Sequence, residues 1–263
     1  MLLLLKAIVM GLVEGVTEFL PISSTGHLIL TGQLIDYPAA QRVTTEIFIQ
    51  MGAILAVFWH YGTELTGLAQ RVPRGGAARD LVLKVFVAFL PAAAAGVLVH
   101  HAIEERLFNP TTVATSLIVG GIIILVVERR RRRGTTDHIE ATTWGQALAV
   151  GVAQTTSLIP GVSRAGATII GGLLAGLDRP TATQFSFYLA LPTVSAASLF
   201  SLLKALPSLG RGDVAPLALG FVVAFASALV VIRSFLVYVR SNDLRVFGYY
   251  RLAAGALVYV LMR

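Results

Sequence analysis

Six apolar runs, residues 45–61, 81–100, 112–128, 185–203, 214–239 and 247–262, each approach the length needed to cross a bilayer. In hydrocarbon a backbone must satisfy its own hydrogen bonds, which restricts spanning structure to helices and closed barrels. Barrel strands alternate polar and apolar side chains, and these runs do not. The chain therefore reads as an all-α integral membrane protein. Composition agrees: 56% of residues are hydrophobic and 13% charged, where a soluble domain is about a quarter charged. Cysteine is absent, which excludes disulfide frameworks, thiolate catalysis and Cys-ligated zinc. The net charge of +7 comes from arginines in short loops, above all residues 129–133. Topology and anionic lipid headgroups explain them, so no nucleic-acid partner is expected. The first apolar stretch is not a cleavable signal, since Glu14 and Glu18 stand where small residues should be.

Two further apolar regions, 2–34 and 144–177, are interrupted by Pro, Gly, Ser and a charge. Such backbone is tolerated at membrane depth only where protein or a water-filled cavity surrounds it. Both read as broken, re-entrant helix hairpins. Three loops concentrate arginine: Arg71, Arg74 and Arg79; residues 129–133; and Arg240 with Arg245. The positive-inside rule makes these loops cytoplasmic. Threading the six spans accordingly gives three per half, in opposite senses. Gly11-Leu12-Val13-Glu14 aligns with Gly151-Val152-Ala153-Gln154, and with a one-residue gap Leu20 to Ser24 aligns with Ile159 to Ser163. The expectation is a single transmembrane domain, 1–263, with inverted-topology repeats about 1–128 and 144–263 joined by a basic cytoplasmic loop, 129–143. Inverted repeats with broken helices are a transporter construction, so a lipid flippase or transporter stands as the alternative to an enzyme.

Ionisable groups in a membrane are costly and mark function. Glu14 and Glu18 share one helix face and run into Pro21-Ile22-Ser23-Ser24-Thr25-Gly26-His27. His27 is suited to proton transfer, and a neighbouring Ser24 or Thr25 hydroxyl could attack phosphorus. One carboxylate, Glu18, could orient the imidazole while the other, Glu14, positions water or a divalent cation, Mg or Ca, with Glu14 and Glu18 the candidate ligands. The structural alternative is a serine-capped helix start near Gly26 with the acids in a solvated mouth. The second cluster is Gly161, Ser163, Arg164, Gly166 and Thr168. A guanidinium fork, two glycines and a helix N-terminus form an anion cradle. Alternatively, Arg164 only neutralises Glu14 or Glu18. Gln154 either lines the cavity as counterpart of Glu14 or links helices; Glu46 and Gln50 share a face that borders the site. His60, His100, His101 and His138 read as interfacial or loop residues.

Glu14-x-x-x-Glu18 leading to His27, followed by Pro160-Gly-Val-Ser-Arg-Ala-Gly-Ala-Thr168 and Phe185-Ser-Phe-Tyr-Leu-Ala-Leu-Pro192, closely resembles the undecaprenyl pyrophosphate phosphatase family of the bacitracin-resistance type. The resemblance covers essentially the whole chain. It implies a bacterial inner-membrane hydrolase that removes the terminal phosphate of C55-isoprenyl diphosphate, regenerating the lipid carrier for peptidoglycan. The pocket is expected to open to the outer face, because the first broken element enters from there and carries most of the chemistry. The resemblance also implies the acidic pair Glu14 and Glu18, the histidine His27, the phosphate-binding Arg164 and hydroxyls at Ser23, Ser24, Thr25, Ser163 and Thr168. With the residue patterns above, the expected catalytic set is Glu14, Glu18, His27, Ser24, Thr25 and Arg164, and the expected substrate-binding set is Ser23, Gly26, Gly161, Ser163, Gly166, Thr168 and Gln154. Expected partners are the polyprenyl diphosphate and membrane lipids, with a homodimer left open. Two positions depart from the family pattern: Ala165 replaces a serine, and Gln184 stands where many relatives carry a basic residue.

Overall fold

The computed structural model describes residues 1–107, 109–130 and 134–261. Arg131, Arg132, Arg133 and Met262, expected in the basic loop and at the end of the last run, lie outside these residues, as do the side chains of His100 and His101. The described residues form α1 (Leu2–Thr17), α2 (Ser24–Leu34), α3 (Ala39–His60), α4 (Gly62–Arg71), α5 (Gly76–Leu107) and α6 (Pro110–Arg130). These are followed by α7 (Trp144–Thr155), α8 (Arg164–Leu174), α9 (Arg179–Ala205), α10 (Val214–Ser241) and α11 (Arg245–Leu261). Helices α3, α5, α6, α9 and α10 are long and apolar enough to cross a membrane. The expected sixth span is α11, which is 17 residues long and contains Arg251. Five helices, rather than six, thus meet both conditions among the described residues. The loop expected between the first two spans is partly helical: α4 buries Leu68 and leaves Glu64 and Arg71 on its polar side.

Each broken region folds back on itself. Lys6 of α1 donates to the carbonyl of Asp36 beyond α2, and Gln146 of α7 donates to Ala175 O at the end of α8 (3.1 Å). Helix α1 packs on α10 and α7 on α5; α3 packs on α10 and α9, and α6 on α11. A glycine sets each of the first two contacts. A Cβ on Gly11 would lie 2.4 Å from Gly220 O, and one on Gly151 would lie 2.4 Å from Ala88 O. Only a glycine lets the backbones approach this closely.

The core is apolar and aromatic. Phe19, Phe185, Phe187, Ile169, Leu189 and Ile232 are fully buried, and Phe19 meets Phe187 edge-on, ring centroids 5.5 Å apart. The outer surface is apolar as well: Phe86, Leu203, Val222, Val230 and Val237 are exposed. An apolar exterior of this extent, on helices of this length, belongs in lipid, and the chain is a multi-pass membrane protein.

Candidate active site

The two breaks meet at their tips. Residues after α1 turn through Glu18 to Ile22 and restart at Ser24; residues after α7 pass a short 3-10 turn, Thr156–Leu158, and restart at Arg164. Ser23 and Ser163 are the N-caps of the restarted helices, and both adopt φ 72. A non-glycine residue there carries strain of about 1–3 kcal/mol. Each serine accepts the backbone N–H of a glycine three residues on: Gly26 to Ser23 Oγ (3.5 Å) and Gly166 to Ser163 Oγ (3.0 Å). Capping answers one orphan N–H per helix; the N–H groups of residues 24, 25, 164 and 165 make no backbone bond among those described. The structural match also corrects the sequence register. Helix α8 is α2 displaced by 140 residues, Ser163 is the counterpart of Ser23, and the one-residue gap disappears.

A cavity of about 220 Å³ opens where the tips meet, lined by Glu18, Ser23, Ser24, Thr25, Gln50, Ser157, Ile159, Gly161, Ser163, Arg164, Thr193, Val194 and Ala197. Glu18 organises it. Its Oε2 accepts the Ser24 hydroxyl at 2.6 Å and its Oε1 accepts Arg164 Nη2 at 2.8 Å. Both ion-pair partners are nearly buried, with side chains 7% and 10% exposed. Arg164 also donates from Nη1 to Ser186 O (3.3 Å), lies 5.6 Å from the Phe19 ring centroid, and keeps Nε–H without a partner. The ion pair expected as an alternative to the cradle is therefore formed, to Glu18, inside the cradle itself. Thr25 is exposed on the cavity wall.

Five expected site residues stand behind the wall. Glu14 is buried, with Oε2 unpartnered. Gln154 is buried too, accepts the Thr193 hydroxyl (3.3 Å) and leaves Nε2 unpartnered. Thr168 shares a hydrogen bond with Ser186 (2.6 Å), and Gly26 and Gly166 serve through the capping N–H groups. His27 lies elsewhere. Its Nδ1 is 2.7 Å from Ser23 O and its Nε2 bonds the Tyr250 hydroxyl, with the two rings stacked. The expected orientation of His27 by Glu18 is not formed, because α2 turns the imidazole toward α11 while Ser24 takes the carboxylate. Both oxygens of Glu18 are engaged, and Glu14 lies outside the cavity lining. Among the described residues no three His, Cys, Asp or Glu side chains gather as a metal site.

Sequence reading missed Arg251 and Tyr250, both on α11. Arg251 is 1% exposed and donates only to backbone carbonyls. Nη1 reaches Pro21 O (3.2 Å) and Val162 O (2.9 Å), Nη2 reaches Gly161 O (3.0 Å) and Ser116 O (2.9 Å), and Nε reaches Leu117 O (3.3 Å). One guanidinium thus ties both breaks to α6. Room for it comes from Gly120, where a Cβ would fall 2.2 Å from Nη2. The signal available in sequence was an arginine within an apolar run opposite a Gly120-Gly121 pair.

Comparison with known proteins covers nearly the whole chain. The undecaprenyl-diphosphatase of Dechloromonas aromatica (strain RCB) is 48% identical over 257 residues, covering 98% of this chain and 94% of the relative. Those of Methylobacillus flagellatus and Thermoanaerobacter pseudethanolicus are 47% and 45% identical, each aligned over 97% of the relative's length. The family described as bacitracin resistance protein BacA matches residues 7–257. With two capped helix starts closing on one Glu18–Arg164 pair and a family match of that length, the chain belongs to the bacitracin resistance protein BacA family.

Proposed function

We infer that the chain is an undecaprenyl-diphosphatase, a phosphatase that hydrolyses C55-isoprenyl diphosphate to the monophosphate and inorganic phosphate. The observation that carries the reading is Glu18, which holds a serine hydroxyl on one oxygen and an arginine on the other at the convergence of two helix N-termini. Helix starts with free N–H groups favour an anion, and Arg164 adds a fork matched to phosphate oxygens. The terminal phosphoryl group sits between them. Ser24 attacks phosphorus in line while Glu18 Oε2, already its acceptor, takes the hydroxyl proton. The leaving group is itself a phosphate ester, stable as an anion, so no acid beyond Glu18 is required on its side; that suits a pocket from which His27 is turned away. Glu18 gives the hydroxyl proton up to the departing monophosphate; water then attacks the phosphoserine, its proton passing through Glu18 back to the Ser24 oxygen as inorganic phosphate leaves. Preorganised donors do most of the work, as in phosphoryl transfer generally.

His27 and Glu14 act from behind. His27 holds the carbonyl of strained Ser23, with Tyr250 fixing the ring's other nitrogen. Glu14 keeps an unpartnered, buried Oε2 behind the cavity, and a divalent cation brought in by the diphosphate would offset phosphate charge. The mechanism routes no step through it. The lipid tail lies among apolar helix faces.

The same reading places the protein in the bacterial inner membrane as an inverted-topology repeat. Support comes from the pairwise packing of α1 on α10 with α7 on α5, and from the tip-to-tip meeting of the hairpins. The pocket opens to the face opposite the arginine loops, which is the periplasmic side. Purified protein in detergent should release inorganic phosphate from farnesyl or undecaprenyl diphosphate; transport in liposomes with no release would favour the flippase reading instead. Thr25→Cys, in a chain without other cysteines, should react with an impermeant thiol reagent from the periplasmic side only. Reaction from the cytoplasmic side would reverse the orientation.

A further inference from the structure

The cavity lined by Ser24 and Arg164 carries on its α3–α9 wall a polar group that the mechanism above leaves unused. Gln50 of α3 lines the cavity beside Thr193 and Ala197 of α9. Ser198, 2% exposed, donates its hydroxyl to Gln50 Oε1 at 2.9 Å. That bond commits the amide oxygen to α9 and leaves Nε2, with its two N–H donors, making no hydrogen bond to the described residues. Thr193 has no hydroxyl proton to spare, since it is donated to Leu189 O (2.8 Å) and Gln154 Oε1 (3.3 Å). On this wall the donor without a partner is therefore the Gln50 amide.

A diphosphate has two phosphoryl groups, and the Ser24–Arg164 wall accounts for one. We propose that Gln50 Nε2 donates to the second phosphoryl group, the one that remains on the lipid, and that Ser198 is the positioning residue that keeps the amide turned toward the cavity. The assignment rests on the diphosphatase reading. Negative charge accumulates on this group as the bridging bond breaks, so the contact strengthens in the transition state and counts toward kcat/KM. A neutral donor also avoids trapping the monophosphate product, which a second arginine would hold tightly. A site built to hydrogen-bond a substrate group discriminates against ligands that lack it. Gln50 would thus favour diphosphates over monophosphates.

The test compares two inorganic inhibitors during farnesyl diphosphate hydrolysis. Phosphate fills only the Arg164 side, whereas pyrophosphate spans both walls. In Gln50→Leu, kcat/KM should fall about ten- to a hundredfold, the worth of a hydrogen bond to a charged group. Phosphate inhibition should stay within about twofold, and the preference for pyrophosphate over phosphate should disappear. Gln50→Glu, close to isosteric, should lose more, because its charge faces the phosphoryl oxygens. Ser198→Ala should lose the pyrophosphate preference in part and raise KM more than it lowers kcat. Equal weakening of phosphate and pyrophosphate in Gln50→Leu and Gln50→Glu, or an unchanged preference in both, would overturn the assignment while leaving the diphosphatase reading in place. A wild-type protein that hydrolyses no polyprenyl diphosphate would overturn that reading itself.

Discussion

The two broken elements share a backbone and divide the chemistry. Each restarts with a serine cap at φ 72, each carries a glycine three residues later, and each is anchored by Arg251 through its carbonyls. The side chains then part company. Ser24 opens one helix and Arg164 the other; Glu18 corresponds to Leu158, Glu14 to Gln154, Thr25 to Ala165 and His27 to Ala167. The first element supplies the groups that exchange protons and bonds, and the second supplies a cation to hold the anion. Both helix starts retain the N–H groups. A single break would be a capped helix start with a stray charge. Facing each other, they place a hydroxyl, a base and a guanidinium around one cavity, and Glu18 touches both. Ala165, which has no hydroxyl, lies in the half that holds rather than reacts.

The largest effects should fall on the groups without a counterpart. Glu18→Gln keeps the shape but removes the base for Ser24 and the charge opposite Arg164, and should lower turnover with farnesyl diphosphate about a thousandfold or more. Arg164→Lys keeps the charge and loses the planar fork, so a loss near a hundredfold is expected. A lysine variant that matched wild type would reduce the second break to a source of positive charge. Effects on stability should instead be shared by both breaks. Arg251→Met strips partners from five buried carbonyls at once, and should cost about 3 kcal/mol or more, read as a lower melting temperature in detergent. The smallest effects concern the caps. Ser23→Ala and Ser163→Ala should each cost about 1 kcal/mol, whereas the glycine variants recover part of this by relieving positive φ. Unequal cap effects at the two positions would show that the backbones differ in energy despite equal geometry.

Much of the site was legible because charge in an apolar run has few explanations. Glu14, Glu18 and Arg164 announced themselves by cost, and the Pro-Gly-Ser interruptions announced the breaks. What was not legible depends on partners far apart in the chain. His27 finds Tyr250, 223 residues away, so its apparent pairing with Glu18 could not be judged from spacing. Arg251 sits in a helix whose other residues look like an ordinary span, and only the carbonyls of three segments explain it. The register of the second break was misplaced by one residue, because the sequence aligns its prolines while the backbone aligns its serine caps.

The central claim is that two breaks make one site through the Glu18–Arg164 contact. A double-mutant cycle on kcat/KM tests it most directly, using Glu18→Gln, Arg164→Ala and the double variant with farnesyl diphosphate. Residues that act as a unit are strongly non-additive. The double variant should therefore be no more than about tenfold worse than the poorer single one. Losses that multiply in full would mean that the two residues act independently, and would contradict the account.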